Sequence, residues 1–349
     1  MPDSAGLTVG IAGASGYVGG ELIRILAGHE QVGRIMAFSD NWQGQSVAAA
    51  HPKLVAIGAS LEFIPFAPSQ LAGCDVVFFA TPAGIAARHA ADLLARERIV
   101  IDCGADFRLR DAKQWQQVYG IEHPCPQLLA SAAYGIPELF PAAVAKANLI
   151  GAAGCYATCI QLAAAPVVKM LAEQGSSEIR IVAAGLSGTS GAGRRTDRHD
   201  LLLAEAGNNA CAYAINGHRH APEIIQGIDN YADRVVQLAF VPHLLPLPRG
   251  LLATVHIIAD GKFVPPETAA TALAQAYADE PCISVLPAGS APQLASVLHT
   301  DRAVLAASAT GEVAAIVGAL DNLGKGAAGQ AVQCLNLRLG FNPISGLAA

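Results

Sequence analysis

Charge is scarce in this sequence. Asp, Glu, Lys and Arg supply 14% of its 349 residues, against roughly a quarter in ordinary soluble domains. A net charge of -6 with 22 basic residues leaves no broad cationic field, so nucleic acid is not an expected partner. The longest stretch without charge, Ala147 to Val168, does not read as a membrane span. Asn148, Gly151, Gly154, Thr158, Gln161 and Pro166 interrupt it, and a span needs about 20 mostly apolar residues in a row. The N-terminal residues lack the basic region of a secretory signal and carry Asp3 instead, so a cytoplasmic chain is the expectation. None of the eight cysteines forms a Cys-x-x-Cys pair, which argues against a zinc ribbon or a thioredoxin motif. No metal is expected, and most of the thiols should be buried small hydrophobes. Low-complexity linkers and tandem repeats are absent as well.

What is present is an alternation of strands and helices. LTVGIA from Leu7 reads as a strand, GASGYVG as a turn and GELIRILAG as a helix. GRIMAFS, CDVVFFATP and RIVIDCG read as further strands, with helical AGIAARHAADLLAR between the last two. Such an order implies a parallel sheet. ANLIGAAG is one more buried strand, ending at Gly154, and from Cys155 a long helix runs to about Gln174. The texture then changes to β-branched or alternating runs (EIRIVAA, RVVQLAFVPH, GLLATVHIIA, AVLAASA, EVAAIVGAL) with a helix in PPETAATALAQAYA. A second, α+β domain accounts for them. A last helix covers about Lys325 to Leu339.

The turn Gly13-Ala14-Ser15-Gly16-Tyr17-Val18-Gly19 follows a strand and opens a helix. In that context glycines admit the backbone close to a pyrophosphate held at the helix N-terminus. The spacing is G-x-x-G-x-x-G, and a ligand-free β-α turn is the competing account. After the second strand the signals divide. Asp40 lies where a carboxylate accepts a ribose hydroxyl of NAD, whereas Ser39 lies where a hydroxyl serves the 2′-phosphate of NADP. Arg34 and Lys53 are the nearest basic residues.

Cys155 stands at the junction of a buried strand and a long helix. A helix N-terminus lowers a thiol pKa and offers free N–H groups to an oxyanion, so Cys155 is a candidate nucleophile, with a buried core thiol as the alternative. Acid or base partners are sought among the histidines, where His218 and His220 share a polar segment with Arg219 and Glu223. Basic side chains also gather at Arg108 and at Arg194 and Arg195, which end the small-residue loop from Ser187 through Ser190. Small residues expose backbone donors, and guanidinium groups bind phosphate or carboxylate bidentately.

Taken in order, GASGYVG, GADFRL, AAYGIPEL, GCYAT, SGTSGAGR, GHRHAPEI, PHLLPLPRG and DNLGKGAAGQAVQCLNL resemble the N-acetyl-gamma-glutamyl-phosphate reductases of arginine biosynthesis, within the aspartate-semialdehyde dehydrogenase-like superfamily. The resemblance spans nearly the whole chain. Around the cysteine the family usually reads Asn-Pro-Gly-Cys-Tyr-Pro-Thr, and here Ala152, Ala153 and Ala157 replace Asn and both prolines.

The resemblance implies an α/β chain with a Rossmann-type dinucleotide-binding domain over residues 1–154, completed by a C-terminal helix within 319–349. It implies a catalytic and subunit-interface domain over 155–318 and a homodimer or homotetramer. NADP(H) is the implied cofactor, held by Gly13, Ser15, Gly16, Tyr17, Val18, Gly19 and Ser39, and the implied substrate is a small acyl phosphate. Cys155 takes the nucleophile position and His218 that of the general acid/base, with His220 and Glu223 beside it. Arg108, Ser187, Ser190 and Arg194 are the candidates for the acyl phosphate. Related dehydrogenases acting on aspartyl or aminoadipyl phosphate, and a non-catalytic dinucleotide sensor, are the alternatives.

Overall fold

The hydrophobic run Leu7–Ala12 (β1) leads into the glycine turn, and Tyr17–Leu26 (α1) leaves it. Spacing places Leu22, Ile23 and Leu26 on the buried face of α1, each contributing about 1.5–3 kcal/mol of apolar burial. A computed structural model of the chain describes residues 6–58, 60–194 and 198–348, the side chain of Leu203 excepted. It divides into two compact units. One is built from the residues up to Ala153 with Ala327–Leu347, the other from Gly154–Gly326.

In the first unit, Val32–Phe38 (β2), Phe63–Ile64 (β3), Val76–Phe79 (β4), Ile99–Asp102 (β5), Ala133–Gly135 (β6) and Leu149–Ala152 (β7) join β1. Every pairing is parallel, in the order β3-β2-β1-β4-β5-β7-β6. The chain leaves β1 toward β2 and later returns to its other side as β4. That reversal opens a crevice at the carboxyl ends of β1 and β4, the usual ligand position in open α/β sheets. Helices Ile85–Ala95 (α2) and Ala112–Tyr119 (α3) follow β4 and β5. The short strand β6 was not read from the sequence.

In the second unit Cys155–Glu173 (α4) is followed by Ile179–Ser187 (β8), Cys211–Ala212 (β9), Ala221–Ala232 (α5), Val236–Leu244 (β10) and Leu251–Ala259 (β11). Lys262–Phe263 (β12), Pro266–Ala276 (α6), Ile283–Val285 (β13), Ala303–Ala307 (β14) and Ile316–Leu320 (β15) complete it. The sheet runs β13-β14-β15-β11-β8-β10-β9, with β12 paired to β11. Residues alternate between faces along β8 and β11, and α4 packs against β11 and β15 with α5 and α6 at its sides.

One expectation changes. The second crossing between units comes after Gly326 rather than near residue 318, because β15 is hydrogen-bonded into the second sheet. Gly324–Ala328 then forms a wide π-helical turn before Gly329–Leu339 (α7). The charge-free stretch is divided between β7 and α4. Asn148, Gly151 and Gly154 precede α4, and Pro166 is accommodated inside it. By length and composition α4 could cross a membrane, but 78% of its apolar window is buried within the protein.

Candidate active site and dinucleotide cradle

In the first unit the three glycines of the turn have separate jobs. Gly13 has φ +79°, and a Cβ there would stand 2.3 Å from the Ala80 carbonyl oxygen. A Cβ on Gly19 would meet the Gly13 oxygen at 2.4 Å and Ala14 Cα at 2.6 Å. Both positions exclude a side chain through the fold itself. Gly16 differs, since its Cβ would meet only the Gly13 oxygen, at 3.3 Å. The helix begins here with no capping side chain and no acid in its first turn, which leaves its N-terminal dipole for an anion. Thr81 Oγ1, just beyond β4, is buried with no hydrogen-bond partner among the described residues. These features fit a dinucleotide.

Ser15 and Ser39 lie together there, their hydroxyls 2.8 Å apart. Tyr17 is exposed, and Val18 packs against the core. His51, which the sequence reading passed over, sets its Nε2 2.9 Å from the Ala14 oxygen. Asp40 uses Oδ1 to accept the Phe66 N–H at 2.8 Å, so one carboxylate oxygen is committed to its own loop. Arg34 does not reach the turn, because it pairs with Thr8 near the opposite end of β1. Lys53 lies in an exposed short helical turn.

The GADFRL segment organises the end of β5. The Asp102 carboxylate accepts the N–H groups of Gly104, Asp106 and Phe107. Burial, and then the neighbouring Asp106 charge, push its pKa up to about 7. Asp106 accepts the Gly84 and Ala87 N–H groups at 2.7 and 2.9 Å, capping α2. Arg108 donates from Nε to the Ala152 oxygen at 2.8 Å and from Nη2 to the Cys103 oxygen at 2.9 Å. Here it fastens β7, the strand that runs into the cysteine. Ala152 and Ala153 are both 1% exposed, and the Ala153 oxygen accepts from Gln330 Nε2 at 3.3 Å.

In the second unit Cys155 is the first residue of α4 and is half-buried. The Gly154 N–H before it donates to Glu223 Oε1 at 2.8 Å, and Glu223 is fully buried in the first turn of α5. Gly326 is required close by, since a Cβ on it would stand 2.9 Å from Cys155 Cβ. Beside the thiol lies an aromatic cluster. The Tyr156 ring meets His218 edge-on at 5.6 Å and Phe240 at 5.3 Å, while its hydroxyl donates to the His243 oxygen at 3.0 Å. Tyr213 lies 5.6 Å from His218, and burial first, with a lesser contribution from nearby Cys155, holds both phenols above the usual tyrosine range. Neither tyrosine was singled out from the sequence. Their signals were adjacency to Cys155 and a position five residues before His218.

His218 is 7% exposed, and its Nδ1 accepts the His220 N–H at 3.1 Å. An N–H can only donate, so the neutral ring carries its proton on Nε2. Burial and the neighbouring Arg219 lower the His218 pKa to about 4. In this state His218 is a neutral hydrogen-bond donor at Nε2. His220 caps α5 with its ring 4.7 Å from that of His218. Among the described residues no group of three or more His, Cys, Asp or Glu could hold a metal.

The loop from Ser187 departs from the expectation of exposed amides. The N–H groups of Gly188, Thr189 and Ser190 donate to the oxygens of Gly250, Leu247 and Pro248 at 2.9, 2.8 and 3.1 Å. These donors are thereby spent, and the loop contributes side chains instead. Ser187 is buried, Arg194 is exposed, and Arg195 lies outside the described residues.

Residues 8–147 match the semialdehyde dehydrogenase NAD binding domain, and residues 155–322 match the semialdehyde dehydrogenase dimerisation domain. The chain is 42% identical to an N-acetyl-gamma-glutamyl-phosphate reductase of Polynucleobacter asymbioticus, covering 98% of each chain. It is also 42% identical to one of Nitrosospira multiformis, covering 96% of each. Among solved structures, aspartate semialdehyde dehydrogenase II of Vibrio cholerae, complexed with ASA, superimposes with a TM-score of 0.72 at 17% identity, over 97% of this chain and 99% of that one. The Candida albicans aspartate semialdehyde dehydrogenase with NADP gives 0.69 at 15% identity, over 95% and 98%. The two structures share the fold. With both domains matched in sequence and full-length relatives at this identity, the chain belongs to the semialdehyde dehydrogenase superfamily, closely related to its N-acetyl-gamma-glutamyl-phosphate reductases.

Proposed function

We propose that the chain reduces N-acetyl-gamma-glutamyl phosphate to N-acetylglutamate semialdehyde and phosphate, as a cytoplasmic step of arginine biosynthesis, with NADPH as reductant. The observation that carries this reading is the full-length identity to reductases of that name, joined to a cysteine at a helix N-terminus whose chain neighbour Tyr156 meets the His218 ring edge-on. The Cys155 sulfur attacks the acyl phosphate carbonyl, the C–O bond to phosphate breaks, and a thioester remains. A bound reduced nicotinamide would supply the hydride that reduces it. Gly13, Ser15, Gly16, Tyr17, Val18, Gly19 and Ser39 form its cradle. Collapse of the thiohemiacetal then returns the thiolate and frees the semialdehyde, while the departing phosphate takes up one proton.

His218 serves this sequence by donating from Nε2 to each tetrahedral oxyanion. Accepting a proton at Nε2 would require the ring proton to sit on Nδ1, at the expense of the His220 N–H bond. Glu223 holds the backbone before Cys155, and His220 supports the His218 ring. Ser190 and Arg194 are the proposed phosphate side, since the buried Ser187 hydroxyl already donates to the Gly188 oxygen. Arg108 acts through β7.

We further propose a homodimer or homotetramer joined by the outer face of the second sheet. Val182, Leu186, Val241, Leu252 and Ile258 lie on that face, with Val182 43% and Val241 36% exposed.

The direct test is phosphate-dependent oxidation of N-acetylglutamate semialdehyde with NADP and with NAD, alongside aspartate and aminoadipate semialdehydes. Turnover should favour the N-acetylated substrate with NADP, and Cys155→Ala should abolish it. Preference for another semialdehyde, or full activity in Cys155→Ala, would overturn the reading.

A further inference from the structure

Hydrogen-bond directions around Asn322 single out one hydroxyl. The Gly250 N–H donates to Asn322 Oδ1 at 2.7 Å. Because a backbone N–H can only donate, this contact sets the amide's orientation. Asn322 Nδ2 therefore faces Ser190 Oγ, 3.0 Å away, as donor. Ser190 must accept there, so its own proton points elsewhere. The other two hydroxyls of the loop are committed, with Ser187 donating to the Gly188 oxygen and Thr189 to the Leu247 oxygen. The amides of Gly188, Thr189 and Ser190 are likewise spent. Ser190 is half-buried, and Asn322 is its only side-chain partner among the described residues.

The Asn322 side chain is itself held firmly. It is 2% exposed and follows Asp321, which is fully buried. Arg249 Nε lies 2.9 and 2.7 Å from the two Asp321 oxygens. The same carboxylate accepts the N–H groups of His299, Leu323 and Gly324.

We propose that Asn322 is a positioning residue that fixes Ser190 as a one-way hydrogen-bond donor to an oxyanion of the phosphate class. The proposal rests on the acyl phosphate reading above. An oxyanion has only acceptors, so a serine hydroxyl free to rotate spends part of its time presenting a lone pair, which repels. Asn322 removes that orientation. The energy of ordering the hydroxyl is met during folding, before ligand arrives.

Asn322→Asp tests this with little change of shape. The carboxylate still accepts the Gly250 N–H, but it offers Ser190 a second acceptor, turning the hydroxyl inward and its lone pairs outward. Inorganic phosphate is the probe, followed by calorimetric titration of the full-length protein and by its KM in the oxidative reaction. Asn322→Asp and Ser190→Ala should each weaken phosphate by about tenfold, with KM for semialdehyde and NADP within twofold of the parent. The double variant should be no weaker than Ser190→Ala alone. The added carboxylate charge, acting by itself, would persist in the Ser190→Ala background and give a product of the two losses, which would overturn the proposal. So would phosphate affinity unchanged in Ser190→Ala, a half-exposed site expected to fold in every case, or a loss falling on NADP. A parent protein that does not bind phosphate refutes the proposal outright. A parent that binds phosphate with this mutational pattern but does not turn over N-acetylglutamate semialdehyde supports the proposal and refutes only the substrate.

Discussion

Glu223 accepts the Gly154 N–H across 2.8 Å, so a buried carboxylate at the head of α5 fixes the residue that caps α4 immediately before Cys155. Nucleophile geometry is thus set from a helix other than its own. Removing the acceptor leaves a buried N–H without a partner, a loss of about 1–3 kcal/mol.

Glu223→Ala should therefore lower the unfolding free energy by about 2 kcal/mol and reduce kcat at least tenfold, while the KM for cofactor stays unchanged. Glu223→Gln, which keeps an acceptor at the same reach, should recover most of both. Denaturant melts and steady-state kinetics on the pair check this. Equal losses in the two variants would mean that the negative charge, rather than the hydrogen bond, matters.

His218 predicts a pH dependence with a definite sign. Its folded-state pKa lies at about 4 against an ordinary 6.5, so between these values the unfolded chain binds the proton and the folded chain does not. Stability from this residue is fully present above pH 6.5 and is lost as pH falls through 4, by at most about 3 kcal/mol. His218→Asn should flatten that acid limb in urea melts. It should also remove most of kcat, whereas His220→Asn should lose less. In the parent enzyme no ionisation of His218 should show between pH 5.5 and 8 in kcat/KM. An acid limb near pH 6.5 that disappears in His218→Asn would refute this assignment.

The glycine turn was legible before the fold because strand, glycines and helix are all local. Cys155 was legible for the same reason, at an abrupt change from buried strand to helix. Long-range pairing was not. β6 is three residues long, Ala133–Gly135, and takes its place only by pairing with β7. The Ser187 loop has the composition of an anion nest, yet residues 247–250, far along the chain, consume its amides. Arg34 follows the same rule, since register with β1 puts it at the wrong end of the strand. Tyr156 and Tyr213 joined the site through rings that meet only in three dimensions.

Gly16 and Gly19 should separate ligand from fold. A methyl at Gly19 collides with backbone atoms of Gly13 and Ala14, so Gly19→Ala should destabilise the protein by about 1–3 kcal/mol. At Gly16 the added Cβ meets only the Gly13 oxygen, at 3.3 Å, which has to give by a few tenths of an ångström. Gly16→Ala should hold its Tm within about 1 °C, less than the ~1.4 °C by which 1 kcal/mol would move it in a chain of this size. NADP affinity should nevertheless fall at least tenfold. Fluorescence titration with NADPH and thermal melts give both quantities. If Gly16→Ala loses stability but not affinity, the turn is a packing device and the cradle is elsewhere.

The outer face of the second sheet supplies the last expectation. Side chains alternate along β8 and β11, and the residues turned away from α4 include Val182, Leu186, Leu252 and Ile258, with Val241 on β10. Leu252 packs against Val297, Val304 and Ala319 of its own chain, which leaves exposed Val182 and Val241 as the centre of a patch that water covers poorly. A second copy meeting it through a two-fold axis would pair like with like. Charge there should be tolerated by the isolated fold and not by the assembly. Val182→Asp with Val241→Asp should shift sedimentation toward the monomer at micromolar concentration, with near-native circular dichroism. An unchanged assembly in that double variant would place the interface on another surface.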